Sequence, residues 1–283
     1  QFTDHYIKVM VGFNQEWGLN SRISAQARQL VTPLIPYINA TVGPQNTSGF
    51  DSSNRPYKNE IALRGVFYRL NYSYKDKYLL EANGRYDGTS RFPTDSRFGF
   101  FPSVSLGWRI SNESFMDGTK GWLDNLKLRA SYGELGNQQL SSYYPYIATM
   151  GIGQSNYIMS GSNKTPYVSP AGLVSSSLTW ETVVTKNLGL DFTLLNQRLD
   201  VSYDIYTRDT KDMLTSVTYP DLLGTSAPDA NAADLRTTGW ELSFSWRDRI
   251  GQDWQYGINL ALADNQAKIT KYDNPTGSLD EFY

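Results

Sequence analysis

Through much of this chain apolar and polar residues alternate one by one. In "PSVSLGWRI", residues 102–110, Val104, Leu106, Trp108 and Ile110 share one side of an extended segment, and Ser103, Ser105, Gly107 and Arg109 share the other. A period of two marks a β-strand whose faces meet different surroundings. The same alternation, bounded by turn residues, predicts nine strands: 4–13, 60–74, 78–87, 98–110, 125–134, 181–194, 199–208, 239–247 and 253–264. Strands of soluble proteins commonly run about five or six residues, whereas a tilted strand that crosses a bilayer needs about nine to eleven. The predicted strands fit the second length.

One phase is built of uncharged runs. It carries Tyr68, Leu70, Tyr72 and Tyr74, then Leu188, Leu190, Phe192 and Leu194, then Trp240, Leu242, Phe244 and Trp246. The opposite phase holds Arg69, Asn71, Glu81, Arg85, Lys127, Arg129, Asp191, Asp204 and Glu241. Rings gather toward strand ends, as aromatic girdles do. The connections also sort by length. "KDK" at 75–77, "NQR" at 196–198 and "DRIGQD" at 248–253 are short, with 111–124 a longer member of the same series. Between them lie 14–58, 88–97, 135–179 and 209–238, rich in Gly, Ser, Asn and Pro. Short turns at one end and long loops at the other is the layout of an antiparallel transmembrane β-barrel of the outer membrane. A soluble β-sandwich accounts for the alternation but not for strand length or loop sorting.

Composition removes other classes. With 26 basic and 28 acidic residues among 283, the chain has no basic excess for nucleic acid. It contains 20 Tyr, a residue suited to surfaces that are apolar at one end and wet at the other. There is no cysteine, and the single histidine, His5, has no second histidine beside it, so neither a disulfide framework nor a metal centre is expected. No phosphate loop, nucleophile elbow or HExxH motif occurs, and "GIGQSN" at 151–156 reads as loop. Acid pairs such as Asp200 with Asp204, or Asp209 with Asp212, read as solvated or wall-lining groups rather than a hydrolytic dyad. The expectation is a protein that is not an enzyme and carries no cofactor. No signal peptide and no apolar run of transmembrane-helix length is visible.

Two groups are candidates for ligand contact. The aromatics Trp17, Tyr143, Tyr144, Tyr146, Tyr157 and Tyr167 fall in the long connections, where they either stack on a solute or pack the loops together. Arg85 on the polar phase, with Asp87, Arg91, Asp95 and Arg97 beyond it, either pairs within the wall or meets a polar solute.

The run "YLLEANGRYDGTSRFPTDSRFGFFPSVSLGWRISNESFM", with "WLDNLKLRASYGELGNQ" after it, resembles the barrel of SusC/RagA-class TonB-dependent outer-membrane transporters. "LTWETVVTKNLGLDFTLLNQRLDVSYDIYTRDTKDML", "TTGWELSFSW" and "YGINLALADNQAKI" extend the likeness over nearly the whole chain. The resemblance implies a barrel of the 22-strand type around an N-terminal plug. It implies import of oligosaccharides or oligopeptides, energy from the TonB–ExbB–ExbD complex, and a SusD-like surface lipoprotein closing over the barrel. Residues 1–283 are then expected to be a portion of the barrel domain, about nine strands of it, with the plug and the remaining strands outside this sequence. The loops 14–58, 135–179 and 209–238 are expected to meet the lipoprotein, and the short turns to face the periplasm. Alternatives are a stand-alone TonB-dependent receptor for a siderophore or metal chelate, and a soluble carbohydrate-binding β-sandwich.

Overall fold

The computed structural model describes residues 4–34, 37, 40–43, 45–48, 57–140, 142–160, 163–216, 222, 224–225 and 227–273. Nine long strands form one sheet with neighbours in chain order: β1 (His5–Arg22), β4 (Tyr57–Tyr74), β5 (Tyr78–Thr89), β6 (Phe98–Arg109), β7 (Leu123–Asn137), β10 (Glu181–Leu194), β11 (Leu199–Ser216), β12 (Asp229–Ile250) and β13 (Trp254–Tyr272). From β5 to β13 each pairing is antiparallel. All nine predicted strands are present. A sandwich would need a second sheet against the apolar face, but these nine belong to one.

Register aligns the two phases across the sheet. Tyr78, Trp108, Leu128, Leu190, Tyr203, Leu242 and Leu262 stand side by side on seven consecutive strands. The next row is Leu79, Gly107, Arg129, Gly189, Asp204, Glu241 and Ala263. A slip of one residue would bring Arg129 of β7, Asp191 of β10, Asp204 of β11 or Glu241 of β12 into the apolar row, which is why the alternation specifies pairing as well as strand position. The apolar face has little protein over it: Leu188 is 45% exposed and Leu260 53%.

The sheet is longer than the alternation implied. β1 runs to Arg22, β11 to Ser216 and β13 to Tyr272, while β12 begins at Asp229. The long connections 14–58 and 135–179 are also not irregular throughout. They contain hairpins, β2 (Ser24–Ala27) with β3 (Gln45–Ser48), and β8 (Ile152–Ser160) with β9 (Asn163–Val168). The 111–124 connection is built from 3₁₀ turns at Ile110–Asn112 and Ser114–Thr119.

Two compact units divide the chain. Residues 15–63 form the smaller, in which the β2–β3 hairpin is extended by Val42 N donating to Gln29 O at 2.9 Å and Gly43 N to Arg28 O at 3.1 Å. Residues 1–14 and 64–283 form the larger. Its buried cluster lies at the long-loop end, where Phe92 and Phe101 meet the Trp180 ring edge-on at 5.4 and 5.3 Å and Leu178 closes the group. Phe101 belongs to the polar phase of β6. It is buried because loop residues cover the end of the strand.

Candidate functional site

On the polar face the charges face one another in fixed arrangements. Arg129 on β7 donates from Nε and Nη2 to both carboxylate oxygens of Asp191 on β10, at 2.6 and 2.8 Å, and from Nη2 to Asp204 on β11 at 3.0 Å. Ser202 Oγ donates to Asp191 at 2.8 Å, and Asn187 Nδ2 to Asp204 at 2.7 Å. The arginine reaches two strands away because Gly189 stands between. A Cβ there would lie 2.7 Å from Arg129 Cζ and collide with Asp204 Oδ1. One guanidinium thus ties three strands with a bidentate pair and a third charged hydrogen bond.

A second cluster involves two of the sequence candidates. Arg85 donates from Nε and Nη2 to Asp87, both at 2.9 Å, and from Nη2 to Asn14 at 3.3 Å, with its Cζ 5.4 Å from the centre of the Phe67 ring. Farther along the strands Glu81 accepts from Asn71 at 2.5 Å and Asn83 at 2.9 Å, and Asn83 accepts from Arg69 at 2.6 Å. Nearer the short turns Arg247 donates to Asp200 at 2.5 Å. Between these clusters lies a concavity of about 570 Å³ whose lining includes Asn71, Glu81, Ser105, Lys127 and Arg129. Lys127 forms no hydrogen bond or ion pair with the described residues, but its charge acts on Asp191. The result is a hydrophilic, mostly self-neutralised surface.

Arg91 stands apart from Arg85 and Asp87. It sits at the long-loop end, donates to Leu140 O at 3.0 Å and lies 5.3 Å from the centre of the Tyr143 ring. Tyr146 reaches back to Ser90 O at 3.4 Å, and Tyr144 N donates to Ser142 Oγ at 3.2 Å. Arg91 with Tyr143 and Leu140, and Tyr146 with Ser90, therefore join the 90–97 and 138–151 segments, while the Tyr144 bond is local to the second. Trp180 Nε1 donates to Arg97 O at 3.3 Å, and Asn231 is bonded to Thr179 N, Thr179 O and Asp212 O at 2.9, 3.0 and 2.7 Å. Tyr167 on β9 is paired with Gly153 on β8 and is half exposed. Trp17 is exposed near the far end of β1, in the smaller unit. The side chain of Tyr157, in β8, lies outside the described residues. Among the described residues no group of three or more His, Cys, Asp or Glu side chains could hold a metal ion.

Sequence reasoning placed Arg129, Asp191 and Asp204 on the polar face but did not join them, nor did it single out Lys127, Trp180 or Asn231. The Arg129 partners lie 62 and 75 residues away. The available signal was register: with β7, β10 and β11 paired, Gly189 falls between Arg129 and Asp204.

One sheet of long strands, apolar on one face and lined by paired charges on the other, with turns and loops sorted by end, is the wall of a transmembrane β-barrel. Comparison with known proteins agrees. The family model "TonB dependent receptor-like, beta-barrel" matches residues 2–280. The chain is 31% identical over 272 residues to TonB-dependent receptor P3 of Formosa agariphila, covering 95% of this chain and 26% of that protein. It is 34% identical over 231 residues to TonB-dependent receptor SusC of Bacteroides thetaiotaomicron, covering 80% of this chain and 22% of SusC. In fold it matches a chain of the RagAB peptide transporter with a TM-score of 0.80 at 24% identity, over 95% of this chain and 29% of that one. The chain belongs to the TonB-dependent receptor β-barrel family, as the resemblance implied. It spans about a quarter of the length of the relatives it matches.

Proposed function

We propose that the chain forms part of the barrel of an outer-membrane, TonB-dependent importer of the SusC type, which takes up oligosaccharides or oligopeptides beneath a SusD-like surface lipoprotein. The observation that carries this reading is the division of one sheet into a face that is apolar and uncharged through its central rows and a face of mostly paired charges, in register over seven strands. The first face suits lipid and the second a water-filled lumen. Family membership and the identity with SusC support the class, and the description of RagAB as a peptide transporter keeps peptides among the candidate cargoes. The protein moves its cargo and does not transform it. Energy enters through the TonB–ExbB–ExbD complex, acting on a part of the protein outside this sequence.

The loop end supports the lid. The 138–151 segment is clamped to 90–97, and beyond it the β8–β9 hairpin exposes Ile152 and Val168 to 80% and 60%. Apolar side chains on a supported hairpin suit a protein partner. Deleting the gene in its host and following labelled oligosaccharides, oligopeptides and ferric siderophores tests the cargo class. Loss of sugar or peptide uptake alone is expected; loss of siderophore uptake alone would establish the stand-alone receptor instead. Single cysteines at 152 and 168 should cross-link to a co-purifying lipoprotein, and cysteines at 76 and 196 should not. The reverse pattern would overturn both the topology and the lid.

A further inference from the structure

The connection between β6 and β7 is the longest at the short-turn end, and it is firmly held. Asn112 Nδ2 donates to Asp76 O at 3.2 Å, and Glu113 accepts from Lys77 Nζ at 2.9 Å and Trp108 Nε1 at 3.1 Å. The Lys77 ammonium above all, with the Trp108 and Tyr78 donors, holds the Glu113 carboxyl down at about 2. At the other end Trp122 O accepts from Leu195 N at 2.8 Å and Asp124 Oδ2 from Gln197 N at 2.9 Å. Inside the segment Met116 N donates to Glu113 O at 3.0 Å, Thr119 Oγ1 to Met116 O at 2.8 Å and Trp122 N to Thr119 O at 3.1 Å.

A segment fixed at both ends nevertheless exposes its largest apolar side chains: Phe115 is 67% exposed and Trp122 54%. Its position suggests what covers them. Glu113 is bonded to Trp108, which stands on the apolar face beside Tyr78, so the segment continues that face at its short-turn end. Its charges are neutralised locally, Glu113 by Lys77 and Asp117 by Lys120 at 2.6 Å. Aromatic residues on a nearly neutral, irregular segment at the border of an apolar surface suit the headgroup region of a bilayer, where rings find an apolar side and backbone groups find water.

We propose that residues 110–122 form an interfacial foot, with Phe115 and Trp122 seated among the phospholipid headgroups of the inner leaflet of the outer membrane. The proposal rests on the membrane reading above. To test it, single cysteines replace Phe115, Trp122, Phe244 on the apolar face and Ser243 on the polar face of the full-length protein. Each is labelled with bimane and reconstituted into phosphatidylcholine vesicles containing lipids brominated near the headgroup or deep in the chain. Labels at 115 and 122 should lose several-fold more emission to the shallow bromines than the label at 243 does, and the label at 244 should respond to the deep ones. If 244 is quenched while 115 and 122 behave like 243, the foot is refuted and the membrane reading stands. If 244 also behaves like 243, the membrane reading falls and takes the foot with it. Labels at 115 and 122 that neither bromolipid nor aqueous iodide can reach would show a protein cover, and would refute the lipid assignment.

Discussion

Arg129→Met is the sharpest test of how the polar wall is held. Methionine retains much of the apolar stem and removes the guanidinium, so what is lost is two charged hydrogen bonds to Asp191, at 2.6 and 2.8 Å, one to Asp204 at 3.0 Å and a longer one to Ser202 Oγ at 3.3 Å. Charged hydrogen bonds contribute about 1.5–3 kcal/mol each, so full loss would exceed 4 kcal/mol. The side chains of Arg129, Asp191 and Asp204 are 29%, 30% and 21% exposed, however, and water replaces part of what is removed. Two carboxylates also remain close together, with their countercharge gone. The expected net cost is about 2–4 kcal/mol. Adding Asp191→Asn and Asp204→Asn to the variant removes the repulsion and should restore about 1–2 kcal/mol. Urea unfolding of the full-length protein in vesicles, followed by tryptophan fluorescence and by the gel mobility of unheated samples, measures both. A cost below about 0.5 kcal/mol would put Arg129 among ordinary surface pairs and refute the clamp. Failure of the asparagines to restore anything would refute the account of the carboxylates.

The faces, the foot and the loop end can each be probed separately. Phe244→Arg should cost about 2–4 kcal/mol in the same unfolding assay and Ser243→Arg much less; equal costs would count against the assigned phases. Because the Glu113 carboxyl is depressed to about 2, its contribution is fully present above the ordinary carboxylate range and is lost only as pH falls toward 2. The stability gap between the protein and Glu113→Gln should therefore be flat near neutral pH and close on acidification, and a gap that does not narrow would show that charge is not its cause. Trp180→Ala empties the centre of the Phe92, Phe101 and Leu178 cluster and should destabilise the loop end by about 3–5 kcal/mol, seen as faster proteolysis within 138–180. An unchanged cleavage rate would mean that the cluster does not hold the loops.

Alternation alone showed that this chain makes long strands, nine of them among the described residues, and which residues share a face, because the two faces of a barrel strand meet opposite surroundings. Leu188, Leu190, Phe192 and Leu194 on β10 could only be one face, and once they align with Tyr203 and Leu242, the register of neighbouring strands follows. Beyond the bilayer both faces meet water or protein, and the signal fades. "DTKDMLTS" at 209–216 and "DANAADLRTT" at 229–238 carry no period of two, yet both are strand. They are held there by register with one another and by groups from elsewhere, such as Asn231 on Thr179 and Asp212. Only the tertiary structure could decide that Arg129 reaches Asp204 across Gly189, that Arg91 parts from Arg85 to meet Tyr143, and that Phe101 is buried against Trp180. Each of these depends on side chains far apart in the chain meeting at a particular distance. A sequence pattern specifies which face a residue takes; the partner it finds there depends on how the strands and loops come together.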